Sequence, residues 1–491
     1  MTLPADPIRW AIDAFRSDRA QRYALYRQYL EGEHPMRFPQ EHLRKAFGNT
    51  FRNFYYNRCG TVVDAHADRL QVVGFGSDDE DERRKQREEA LFAGIPAPEG
   101  DKTIAQQAQE LWDANNMDAR EGQIDVEMFG MGDGYLLVDM DPNTGEVFLW
   151  PQRADEIRVR YDDTRPGEIE LAAKAWLDED EHMRLNLYFR DRIEKYRTTN
   201  RALSGMPTSP SAFEPFQPEG DTAWPVMLNV PGTVPVFHFA NNARVNDYGH
   251  SELAAVLPLQ DMLNRDLTHQ AIASVSRIAR QWVLLNYDAN DPDSQRQLEA
   301  LQVGTLQMLA IPPNTNGDAP PQIAEFSQAD MTQFDLIAEK WDIRISRVSR
   351  VPVHYLTMTG NFPSGESLRM GEAQFITKMQ DRAVSAAATY GAAMTYALRL
   401  QGVNVEPGQL RVNMAPVAPM GEKESWELAE IQHRLGMPLR QILKERGYEP
   451  EQIAAIERQI RDEMDAADER RRTLFNGGVY DALAASAGGD E

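Results

Sequence analysis

Three consecutive runs decide the fold: FSQADMTQFDLIAEKWDIRISRVSR (326–350), VPVHYLTMTGNFPSGES (351–367) and LRMGEAQFITKMQDRAVSAAATYGAAMTYALRL (368–400). The first and third have helical spacing, and the middle run is rich in breakers. On a wheel of the first run, Phe334, Ile337, Trp341, Ile345 and Val348 recur every three or four residues and share one face. Lys340, Arg344 and Arg347 form a basic strip about 100° away. Asp335, Glu339 and Asp342 lie on the other flank. Such a helix is either a surface helix with solvated charges or one that sets its basic edge against the acidic edge of a second copy. In the middle run, Pro352 and Pro363 remove donors and Gly360 and Gly365 permit positive φ. Its content of Val353, Tyr355, Leu356, Met358 and Phe362 is high for a plain connector. Two long helices joined by a breaker-rich loop suit a moving part better than a metabolite pocket.

Working outward, the chain of 491 residues is too long for one core, and two to four domains or subdomains are expected. A hydrophobic content of 42% supports a folded chain. A single cysteine, Cys59, excludes an internal disulfide framework and a multi-thiolate zinc site. The first residues, MTLPADPIRWAIDAF, lack the uninterrupted apolar core of a signal peptide, and no apolar run is long enough to span a membrane. The net charge of −24 argues against a protein that grips duplex DNA by counterion release. It allows a protein that passes DNA without holding it, because like charge prevents adhesion.

Upstream, residues 7–32, 53–70 and 103–128 read as helices. His66, alone on the second of these, reads as structural. The run DDEDERRKQREEA (78–90) reads as a solvated face or insertion. Gly130, Gly132 and Gly134 precede a strand and do not join a strand to a helix, so a dinucleotide loop is a poor reading. Asp139, Asp141 and Asn143 alternate as in a calcium loop, but Gly145 falls one place late. A β-hairpin, GYLLVDM and EVFLWPQ about a DPNTG turn, fits better. Strand-like segments continue over 156–200, residues 201–222 are Pro/Ser/Gly-rich, and PVFHFANN forms a further strand. Residues 251–279 read as a long helix in which Pro258 marks a kink or the true start. Residues 281–326 form a small mixed module, and the chain ends in a short strand, helices and a frayed tail. No Walker-type phosphate loop, zincin, nucleophile-elbow or kinase motif is present.

The order of these parts resembles the portal (head–tail connector) proteins of tailed double-stranded DNA bacteriophages. The likeness runs over residues 20–465 and is carried by YRQYLEGEHP, Asn57 with VVD (62–64), LQVVGF (70–75) and FGMGDGYLLVD (129–139). Residues 235–270, 351–373 and 436–450 also carry it, and the segments 77–90 and 201–222 depart from it as insertions. The resemblance implies an α+β portal fold and a ring of about twelve copies in the virion, at one capsid vertex. It implies a wing at 1–250, stem helices at 251–280 and 327–350, and a clip at 281–326. A tunnel loop would occupy 351–366, a connecting helix 367–400, a crown 401–470 and a flexible tail 471–491. His354, Tyr355, Leu356, Asn361 and Phe362 would then face DNA. Lys340, Arg344, Arg347, Asp335, Glu339 and Asp342 would line the channel stem or a subunit interface. The implied partners are double-stranded DNA, the terminase large subunit, a head–tail adaptor, and major capsid and scaffolding proteins, with no cofactor and no catalysis by the chain itself. A metal-dependent nucleic-acid-processing enzyme and a capsid protein without a channel are the alternatives.

Overall fold

The computed structural model describes residues 6–34, 56–79, 102–202 except 142, 205–217, 226–278 except 230, 331–357 and 365–418. It also describes short pieces within 282–325 and parts of 422–460. Residues 1–417 form one compact unit and 418–491 a second. Helices and mostly antiparallel sheets share the first unit, so the expected α+β class holds.

The N-terminal segment makes two helices, α1 (Pro7–Phe15) and α2 (Asp18–Leu30), where one was expected. Ser17 between them is extended, and its hydroxyl donates to the Ala14 carbonyl at 2.7 Å. Helix α3 (Arg58–Ala67) starts where Asn57 accepts the amides of Cys59 and Gly60. It leads into strand β1 (Val72–Ser77). Residues 103–128, expected as one helix, divide into α4 (Ile104–Ala114) and α5 (Met117–Met131) at Asn116, which is left-handed (φ 51°). The reason lies next door: the Asn115 side chain donates to the Val147 carbonyl and accepts from the Leu149 amide, tying the break to the sheet.

The predicted hairpin forms, with β2 (Asp133–Met140) antiparallel to β3 (Val147–Gln152), and β10 (Val236–Ala240) joins it on the other edge of β2. A six-stranded antiparallel sheet follows the order β4 (Ile157–Tyr161), β5 (Ile169–Leu177), β6 (Met183–Tyr188), β7 (Arg192–Thr198) and β8 (Phe213–Pro215). Strand β9 (Val226–Leu228) also pairs with β7. Gly132 and Gly249 cross at van der Waals contact: a Cβ on Gly249 would lie 1.9 Å from the Gly132 carbonyl oxygen. Only glycine permits that approach.

Helix α6 (Leu257–Ile278) carries Pro258 in its first turn, so the proline marks the start and not a kink. Strands β11 (Trp282–Leu285), β12 (Met308–Ile311) and β13 (Gln322–Glu325) form a small mixed sheet. Helix α7 (Met331–Ser349) packs along α6, a short α8 spans Val353–Leu356, and α9 runs 36 residues, Gly365–Leu400. Strand β14 (Leu410–Met414) then returns to pair with β1. Val405, Leu410 and Val417 sit in the main core. The first compact unit therefore extends to 417, because the strand that follows α9 completes a sheet begun some 340 residues earlier. In the second unit, α10 (Glu422–Arg434) precedes α11 (Leu439–Glu445), and Arg440 pairs with Glu457 through two hydrogen bonds of 2.9 and 2.6 Å.

Candidate functional site

Helix α7 has one face inside the fold and one outside. Inside, Ile345 and Ser349 are buried, and the Trp341 indole donates to Asp266 on α6 at 2.9 Å. Asp342 is buried too, and the Arg58 guanidinium grips it through two bonds of 2.8 and 2.7 Å. This corrects the wheel: the inner face is centred on Asp342 and Ile345, and Ile337 and Val348 are turned out. The acidic flank fails as a free edge at Asp342, because Arg58 from α3 needs a carboxylate there. Glu339 is exposed, while the side chain of Asp335 lies outside the described residues. Outside, Leu336 (52% exposed), Ile343 and Val348 (48%) accompany exposed Lys340, Arg344 and Arg347. The Arg344 guanidinium rests 4.2 Å over the Trp341 ring. Among the described residues, none of these three cations has an ion-pair partner on its own chain.

At the end of α7, Arg350 is left-handed (φ 64°), and Val351 turns into the core. Leu356 is 4% exposed and packs in the main core, so its side chain does not project from this subunit, contrary to expectation. The apolar character that marked the run is here used to anchor it. His354 Nε2 lies 2.9 Å from Glu372 on α9, and the Tyr355 hydroxyl donates to the same carboxylate at 3.3 Å. Arg69 also donates to the Tyr355 hydroxyl. Of the five residues expected to face DNA, three are thus engaged within the subunit; Asn361 and Phe362 lie outside the described residues.

Six residues further along α9, a buried polar joint fixes the helix. Lys378 Nζ donates to Glu252 (2.6 Å), to the Ser349 carbonyl (3.2 Å) and to His66 Nε2 (2.9 Å). His66 Nδ1 donates to the Val62 carbonyl at 2.7 Å, which leaves Nε2 as the acceptor Lys378 requires. Burial pushes the His66 imidazole down to about 4, so it is neutral at pH 7. Burial also lowers the Lys378 ammonium, opposed by Glu252. Burial alone would raise Glu252, yet its contacts hold it below the ordinary carboxylate value. With His66 neutral, the cation responsible is Lys378.

A second polar knot joins the two sheets. Asp133 is fully buried and accepts from Tyr23 (2.5 Å), His238 Nε2 (2.7 Å) and the Gly249 amide (2.7 Å). Burial opposes the ionised form, but these donors outweigh it and keep the carboxyl below its usual range. His238 Nδ1 then accepts from the Tyr161 hydroxyl at 2.7 Å.

The sequence pointed to α7 and to the loop after it. It missed Arg58, Glu372, Lys378 and Glu252, which sit in unrelated runs and meet only in the fold. Among the described residues, no group of three or more His, Cys, Asp or Glu is arranged to hold a metal ion, and no helix is long and apolar enough to cross a membrane.

No family model matches the chain, and no curated protein matches it. Among solved structures, the chain is similar to one in the virion of a native gene transfer agent particle. That match has 12% identity and a TM-score of 0.39, covering 85% of this chain and 94% of that one. It is also similar to a chain in the neck of the native particle computed with C12 symmetry, at 14% identity and TM-score 0.40, over 82% and 91% of the two chains. A chain in the neck of the empty particle, computed with C6 symmetry, gives 13% identity and TM-score 0.39, over 80% and 88%.

Proposed function

We propose that this chain is the subunit of a phage-type portal: a ring at one capsid vertex that conducts double-stranded DNA during packaging and ejection. The ring docks the terminase and later a head–tail adaptor. ATP hydrolysis belongs to the terminase, and the portal contributes shape and charge. The observation that supports this most is the outward face of α7. Leu336, Ile343 and Val348 flank three cations without carboxylate partners among the described residues, on a helix whose other face is already satisfied. A face of that composition needs a cover, and the acidic surface of a second copy supplies one. Head-to-tail repetition of such a contact closes into a ring when the rotation allows. A net charge of −24 per subunit then lets DNA slide past a wall that does not hold it.

The segment after α8 supplies the contact with DNA. His354, Tyr355 and Leu356 anchor it, so residues from 357 onward, Asn361 and Phe362 among them, are the ones offered to the duplex. Charge reversal at Arg344 separates the uses of the basic strip. If the strip pairs with a neighbour, Arg344→Glu leaves the subunit folded and abolishes rings. If rings form normally and only DNA retention falls, the strip faces the channel.

A further inference from the structure

At one end of β5, a cavity of about 520 Å³ opens among the β4–β5 turn, the loop 241–248 and α9. Tyr161, Pro166, Val245, Arg244, Arg382 and Asp247 are among its lining residues. Arg382 is held in place from behind. Its Nε donates to Asn241 Oδ1 at 2.7 Å, and Asn241 is itself 1% exposed and fixed by the His250 carbonyl (2.7 Å) and Glu252 (3.0 Å). Neither Arg382 nor Arg244 has an ion-pair partner among the described residues, whereas Asp247 lies 4.0 Å from Arg19. Asn242 and Asn246, on either side of Arg244, are both left-handed (φ 51° and 53°). Asparagine tolerates that conformation, so the two residues set the turns that present Arg244 at the mouth of the cavity. The result is a pre-positioned cationic pocket in a strongly acidic chain.

The opposite end of β5 carries the reverse character. Leu177 is 49% exposed, and the turn that follows reads Asp178, Glu179, Asp180, Glu181. Arg197 pairs with Asp178 and Asp180, and Arg201 with Glu181, so the turn keeps a net negative charge, with Glu179 exposed and outside those pairs. Nine strand residues separate the two ends by about 30 Å, so one copy cannot fill its own pocket.

We infer that the acidic turn 177–181 of one copy seats in the Arg244/Arg382 pocket of the next, a head-to-tail contact along the sheet. Glu179 meets the two guanidinium groups, and Leu177 packs against Val245 and Pro166 at the rim. The match is in charge and in apolar surface together, and the two halves are different patches of one subunit, as a heterologous, head-to-tail interface requires. The inference rests on the ring reading for closure, but the contact is testable by itself.

The test is a cysteine pair, Leu177→Cys with Val245→Cys, in the full chain under mild oxidation, with Glu179 and both arginines left in place. Val245 is 85% exposed, so the substitution leaves the fold alone. Burial pushes the native Cys59 thiol up to about 12, which keeps it out of exchange. The expected result is a ladder of intermolecular disulfides on a non-reducing gel, absent from either single variant. Adding Arg244→Glu should reduce the cross-linked fraction by about tenfold. Micrographs of the same sample separate the two claims. Rings without a ladder overturn the docking. A ladder without rings supports the docking and overturns closure, and neither rings nor ladder overturns both.

Discussion

A methyl group on Gly249 would collide with the Gly132 carbonyl at 1.9 Å, and the crossing it disturbs also brings the Gly249 amide to Asp133. Gly249→Ala should therefore destabilise the first unit by about 3 kcal/mol, read by chemical denaturation; a change under about 0.5 kcal/mol would mean that the backbone relaxes freely there. Two buried acids on α5 give a pH signature. Glu121 accepts the Val72 amide at 3.0 Å, and burial pushes its carboxyl up from 4.5 to about 7. Asp125, 1% exposed, is raised well above the carboxylate range by burial and by Glu121. A raised acid binds more protons folded than unfolded, so its contribution is fully present below 4.5 and is lost as the pH rises towards about 7. Between about pH 5 and pH 8 the melting temperature of the wild type should fall relative to that of Glu121→Gln. Parallel curves would show that Glu121 ionises freely. His66, depressed to about 4, acts in the opposite direction in both proteins and cancels from the comparison.

At the scale of elements, the joint between α3 and α7 is one ion pair. Asp342→Ala strands the Arg58 guanidinium in a site where its side chain is 12% exposed, and should cost about 3 kcal/mol. Removing both partners should cost less than the sum of the single losses; strict additivity in the denaturation midpoints would contradict the pairing. This joint also marks the limit of what the sequence disclosed. Strong local patterns were legible: the hairpin about DPNTG, the strands of 157–198, the proline start of α6 and the length of α9. What failed was the assumption that apolar residues choose the inner face of a helix. On α7 a bidentate ion pair chose it, leaving Ile337 and Val348 outside. The pairing of β14 with β1 was invisible for a related reason, because a five-residue strand carries no record of a partner some 340 residues away. Leu356 was expected to face DNA because of its apolar character in a breaker-rich run, and its side chain lies instead in the core of the subunit.

At the scale of the whole molecule, the account depends on copies of an acidic chain standing side by side. On the proposed reading, the apolar and basic face of α7, the cationic pocket at one end of β5 and the acidic turn at the other are each completed by a neighbouring copy. Electron microscopy of the purified full-length protein tests this most directly. The account predicts annular particles of about twelve subunits with a central hole wide enough for a DNA duplex, about 20 Å or more. Compact monomers under every salt and concentration condition, with no annular particles on the grid, would contradict it.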